Sequence, residues 1–204
     1  MSHNTWFHRI ARMTVAAPLA RTTMTPNQVT TARLFTGISA ATCFAIGNDP
    51  WLAVGGGIFV VSMILDRADG DLARLTGQTS EKGHRYDLIA DSLSNAMAFM
   101  GLGLGLSVTG GQFGLLALPM GLLAGIAVAA VLWVVMRIEE VEGQRAAEIG
   151  GIGGFDPDDA MLAVPVGVWL GWSEQLLLAA VIGAPLFAVL FFVVLRRRLA
   201  AQTP

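Results

Sequence analysis

The chain has 204 residues, 54% of them hydrophobic and only 14% charged. A soluble domain carries roughly 25% charged residues, so these proportions exclude a soluble globular protein and describe an integral membrane one. The net charge of −2 is uninformative because the distribution of charge matters more than its sum, no nucleic-acid partner is expected, and the lone cysteine, Cys43, closes no disulfide within the chain.

The expected architecture is one all-α membrane domain over 1–204, with an interfacial helix and linker over 1–24 and a six-helix bundle over 25–199. In residues 6–17, Trp6, Ile10, Met13 and Ala17 share one helical stripe while His8, Arg9 and Arg12 lie elsewhere. That pattern predicts a short amphipathic helix lying on the membrane surface. Its apolar run is short and broken by Pro18, which argues against a cleavable signal peptide. A helix needs about 20 mostly apolar residues to cross the hydrocarbon core. The first span is predicted over 29–46, and the second runs from 50 past 65, carrying Asp66 and Asp69 at its far end. The third covers 83–108. Its glycines, from Gly101 to Gly105, allow close helix packing and offer a candidate homodimer seam. The fourth covers 113–136 and continues beyond the membrane as far as Arg145, with Glu139, Glu140, Glu142 and Glu148 pairing an exposed face. The fifth, 158–171, is short, with Asp156 placed to cap it and Pro157 suited to its first position. The sixth covers 176–195 and ends on Arg196, Arg197 and Arg198, which anchor it and attract anionic lipid.

Charge sets the orientation. With six spans all 13 Lys and Arg residues fall on one side, and the opposite connections near 47–50, 109–112 and 171–175 carry none. By the positive-inside rule both termini and the aspartates are then cytoplasmic. Removing the fifth span would put the three C-terminal arginines outside.

Asp66 and Asp69 are three residues apart, and Asp87 and Asp91 four apart, so on helices each pair points to one face. The polar, turn-prone stretch 75–82 folds the second and third helices into an antiparallel hairpin. Two carboxylate pairs then face each other at the cytoplasmic end, where their charges repel. Hard divalent cations with oxygen ligands remove that repulsion, and Mg²⁺ is typically held by carboxylates plus substrate phosphates. Two such ions stabilise both sides of a displacement at phosphorus. Gly70, Ala73 and Gly83 leave bare helix surface for a bulky ligand, and Arg74 supplies a guanidinium suited to phosphate oxygens.

The run Asp-x2-Asp-Gly-x2-Ala-Arg-x8-Gly-x3-Asp-x3-Asp, filled here by Asp66, Asp69, Gly70, Ala73, Arg74, Gly83, Asp87 and Asp91, resembles the signature of the CDP-alcohol phosphotransferases. The stretch Thr25-Pro26-Asn27-Gln28-Val29-Thr30 resembles the Pro-Asn-x-x-Thr opening of that family's first span. The resemblance implies an enzyme that cleaves the pyrophosphate of a CDP-linked alcohol, passes the phospho-alcohol to a hydroxyl acceptor and releases CMP. It implies two divalent cations, Mg²⁺ or Mn²⁺, held by Asp66, Asp69, Asp87 and Asp91, with Asp91 also the general base. Gly70, Ala73 and Gly83 would line the nucleotide site and Arg74 would contact phosphate. Asn27 and Thr30 either cap the first span or touch the nucleotide. The partners implied are membrane lipid, the CDP-linked donor and an acceptor alcohol, in a bacterial inner (plasma) membrane.

The preferred donor is CDP-diacylglycerol, with a small polar alcohol as acceptor. The alternative is a CDP-ethanolamine or CDP-choline donor acting on a lipid hydroxyl. A membrane prenyltransferase would need Asp-rich motifs on more distant helices and gives Gly-x2-Ala-Arg no role. A divalent-cation transporter would place its carboxylates near the bilayer midplane. Acceptor candidates outside the motif are Arg137, Arg145 and Asp156, and a phosphate-bearing acceptor would also call on Arg67 or Arg85. Asp71 and His84 are expected to be solvent-exposed.

Overall fold

The computed structural model describes residues 6–143 and 157–201. Those residues are helical and contain no strand. Helix α1 is built from Trp6–Ala11, a π-helical turn Arg12–Ala16 and Ala17–Leu19. It is followed by α2 (Pro26–Ile46), α3 (Asp49–Thr76) and α4 (Glu81–Thr109). A 3₁₀ turn, Gly114–Leu116, leads into α5 (Ala117–Glu142). A second, Pro157–Leu162, leads into α6 (Ala163–Trp169), and α7 is Ser173–Ala201.

Local chemistry explains where the site-bearing helices begin and end. Thr25 and Gln28 form a capping box at the start of α2, the Thr25 backbone N–H donating to Gln28 Oε1 at 2.9 Å, with Pro26 in the first turn. The cap is therefore made by Thr25 and Gln28, and Asn27 and Thr30 are left for other contacts. Helix α3 stops at Gly77, whose φ of 68° suits a residue without a Cβ. Ser80 restarts the chain, its Oγ accepting from the Gly83 N–H at 3.0 Å. The α3–α4 hairpin is thus short and capped on both sides.

Helix α2 packs against both α3 and α4, α4 against α5, and α5 against α7, while α6 lies along α3. Phe44, Phe59, Leu102 and Leu177 are fully buried between them. The glycine stripe of α4 is used within this chain. A Cβ at Gly101 or Gly105 would run into the Ala41 and Phe44 carbonyls of α2, and one at Gly103 would lie 2.6 Å from the Ala117 carbonyl of α5. Close backbone approach on both sides consumes the stripe, so the candidate homodimer seam at Gly101 to Gly105 is not an outward face.

Helix α1 rests on the charged end of α3: Ala16 joins Val29, Ala68 and Leu72 in one cluster. Met13, 75% exposed, and Ile10 point away from the bundle, as an interfacial helix requires. His8, expected on the polar side, is buried instead.

Five helices among the described residues are long and apolar enough to cross a membrane. At 1.5 Å per residue α2 spans about 31 Å, the thickness of the hydrocarbon core, and α3 overshoots it by roughly 11 Å. The expected fifth span is described from Pro157, and its apolar helical part, Ala160–Trp169, is shorter than a crossing helix. It still runs along α3 from beside Asp66 to beside Ala53. Met161 lines a recess with Asp66 and Asp91, and the Trp169 indole N–H donates to the Ala53 carbonyl at 3.0 Å near the other end. Glu174, just beyond, meets the Gln112 N–H at that opposite end.

Candidate active site

Three helices deliver the candidate residues to one end of the bundle. The last turns of α3 carry Asp66 and Asp69, the first turns of α4 carry Asp87 and Asp91, and the start of α2 supplies Thr30 and Arg33. Thr30 Oγ1 donates to Asp69 Oδ2 at 2.6 Å, in a buried contact that ties α2 to α3. Arg33, only 2% exposed, places its Nε 3.2 Å from Asp66 Oδ1 and donates through Nη2 to Asp91 Oδ1. Arg67 Nη1 donates to the other oxygen of Asp66 at 2.9 Å. Asn95 Nδ2, one turn after Asp91, donates to Asp91 Oδ1 at 3.0 Å.

Asp66, Asp69 and Asp91 are therefore turned toward neighbouring donors. Among the described residues, no group of three or more His, Cys, Asp and Glu side chains is gathered closely enough to hold an ion. Two features of the donor set nevertheless fit divalent cations. Asp87 Oδ1 is buried and takes no hydrogen bond. Four carboxylates also outnumber the two guanidiniums that neutralise them, in a setting where unpaired buried charge is expensive.

The small residues lie around this cluster. A Cβ at Gly83 would come 3.2 Å from Asn27 Oδ1, so Asn27 stands over the bare first turn of α4. Gly70 lies beneath the Arg74 guanidinium, and Ala73 is half-buried on the same helix. Arg74 Nη2 donates to Asp71 Oδ1 at 2.7 Å. Asp71 is thus buried and paired, not solvent-exposed as the sequence alone implied. His84 is likewise partly buried, its Nε2 3.0 Å from Glu139 Oε2, which joins the start of α4 to the end of α5. Glu139 accordingly belongs to this junction and not to a fully exposed face.

The acceptor candidates are not drawn in. Arg137 pairs with Glu140 on its own helix at 2.6 Å, at an exposed position, and Arg85 sits 3.5 Å from Glu81. Arg145 and Asp156 lie outside the described residues. Sequence reasoning counted Arg33 only as a topological charge and passed over Asn95. A cation four residues into an apolar span was the available signal for Arg33. For Asn95 it was an amide one turn after Asp91.

A family profile described as CDP-alcohol phosphatidyltransferase matches residues 23–184, which include every helix that builds this cluster. The chain belongs to the CDP-alcohol phosphatidyltransferase family. The five long apolar helices among the described residues accord with an integral membrane protein. CDP-alcohol phosphatidyltransferases are generally dependent on divalent metals. The archaetidylinositol phosphate synthase of Pyrococcus horikoshii is 35% identical over 91 residues, covering 45% of this chain and 47% of that protein. The chain thus aligns with about half the length of this curated relative.

Proposed function

We propose that this enzyme transfers the phosphatidyl group of CDP-diacylglycerol to the hydroxyl of a small polar alcohol, with Mg²⁺ or Mn²⁺, at the cytoplasmic face of a six-span membrane domain. The observation that carries this reading is the meeting of Asp66 and Asp69 from α3 with Asp87 and Asp91 from α4 at one end of an apolar bundle, joined by Thr30 and Arg33 of α2. The six-span topology draws support from the 157–169 segment, which runs from the aspartate end toward the Ala53 end, and from the one-sided distribution of Lys and Arg.

In this reading Asp66, Asp69 and Asp87, completed by Asp91, hold two divalent cations, which when bound neutralise the pyrophosphate and the developing charge at phosphorus. Asn27, Gly70, Ala73 and Gly83 leave room for the cytidine nucleotide, Thr30 fixes Asp69, and Arg74, steadied by Asp71, meets a phosphate oxygen. Asp91 takes the proton of the acceptor hydroxyl as its oxygen bonds to the lipid-bearing phosphorus. The bond from that phosphorus to the bridging oxygen breaks, and CMP leaves with that oxygen.

The relative's name indicates a product bearing an inositol phosphate, so an inositol phosphate heads the list of acceptors for this chain. Arg67, Arg85 and Arg137 are each paired with a carboxylate, so none of them stands ready for an acceptor phosphate without breaking an ion pair. The test is to supply the purified enzyme with Mg²⁺ or Mn²⁺, CDP-diacylglycerol and, in parallel, an inositol phosphate, glycerol 3-phosphate or serine. CMP and a new phospholipid should appear together with one acceptor. Turnover of CDP-ethanolamine with a lipid alcohol in place of CDP-diacylglycerol would reverse the donor assignment.

A further inference from the structure

We infer that Arg33 and Asn95 are positioning residues that clamp one oxygen of Asp91 and thereby aim the other at the acceptor hydroxyl, an inference that rests on Asp91 being the general base. Both donors converge on the same atom: Arg33 Nη2 from α2 and Asn95 Nδ2 from α4 each donate to Asp91 Oδ1. Two donors on one oxygen resist rotation of the carboxylate and fix the direction in which Oδ2 points. Proton transfer demands such placement within hydrogen-bond reach.

The clamp is itself anchored. Arg33 is buried in an apolar helix, where a guanidinium persists only with partners. Its Nε faces Asp66, and Ser62 Oγ donates to its backbone carbonyl at 3.0 Å, so the side chain is tied to α3 as well as α4. Its planar fork reaches two carboxylates through different nitrogens, a fixed geometry that lysine does not reproduce. Asp91 and Asn95 also line a small recess walled by Phe59, Met63 and Met161.

The decisive variants are Asn95→Ala and Asn95→Asp, with Arg33→Lys beside them. Removing partners that orient an active group typically costs about 10–100-fold. Asn95→Ala should therefore lower kcat by about that factor, while the KM for the CDP-linked donor and the Kd for CDP stay within about twofold. Asn95→Asp is isosteric but offers Asp91 no donor, so it should be slower than the alanine variant. Arg33→Lys, keeping the charge and losing the fork, should also fall in kcat. Thermal melting and CDP binding on the same samples separate positioning from folding. A wild-type kcat in Asn95→Ala, an isosteric aspartate as active as wild type, or a rate loss matched by lost CDP binding or melting would overturn the clamp. If the wild-type enzyme released no CMP from any CDP-alcohol, the functional reading itself would fail and the clamp with it.

Discussion

The two ends of helix α4 are made of opposite materials. At its start Asp91 meets Arg33 of α2 and Asn95 of its own helix, and Asp87 Oδ1 takes no hydrogen bond. At its far end Gly101, Gly103 and Gly105 press bare backbone against the backbones of α2 and α5. The glycine end gains dispersion contacts and demands no polar satisfaction. The aspartate end concentrates like charge that the fold alone does not neutralise. The same helix is thus anchored by its glycines and, on the proposed function, made reactive by its carboxylates, and the two properties should come apart under mutation.

The largest effect should come from removing divalent cations. Chelation with EDTA should abolish CMP release and restored Mn²⁺ should recover it, with the glycine end unaffected as judged by circular dichroism. Next is Gly105→Leu, whose side chain would collide with the Phe44 carbonyl. Overpacking of this kind costs about 1–3 kcal/mol, so the melting temperature in detergent should fall while any remaining folded enzyme keeps its kcat. Thr30→Val removes the hydroxyl donated to Asp69. A hydrogen bond to a charged group contributes about 1.5–3 kcal/mol to stability, so melting should fall, and with Asp69 no longer fixed kcat per folded molecule should fall as well. Smallest is Glu81→Gln, which breaks only the exposed pair with Arg85. Exposed pairs contribute little, and both rate and melting should match wild type. A Thr30→Val enzyme that melts early at full kcat, or a Gly105→Leu enzyme that melts normally but is inactive, would blur the distinction between the two ends.

Much of this could be read from the chain because each signal has a simple physical period. Apolar runs of membrane length marked α2, α3, α4, α5 and α7, and the spacing of Asp66, Asp69, Asp87 and Asp91 placed both pairs on facing surfaces. What escaped was tertiary. Positive-inside counting treats Arg33 as one cation among 13 and conceals that it is buried between two carboxylates. Asp71 and His84 read as exposed because spacing alone does not reveal that Arg74 pairs with one and Glu139 meets the other. The glycines of α4 announced close packing without naming the partner, which proved to be α2 and α5 of the same chain. The 158–171 stretch looked like a short span, and its helix is short, with a 3₁₀ turn ahead of it.

The most direct measurement is the rate of CMP release per folded molecule in an Asp91→Asn enzyme, taken with its melting temperature. General-base catalysis typically contributes about 10²–10⁴-fold, so the rate should fall by that factor while melting stays near wild type. Transfer at the wild-type rate would contradict the assignment of Asp91 as the base at the reactive end of α4.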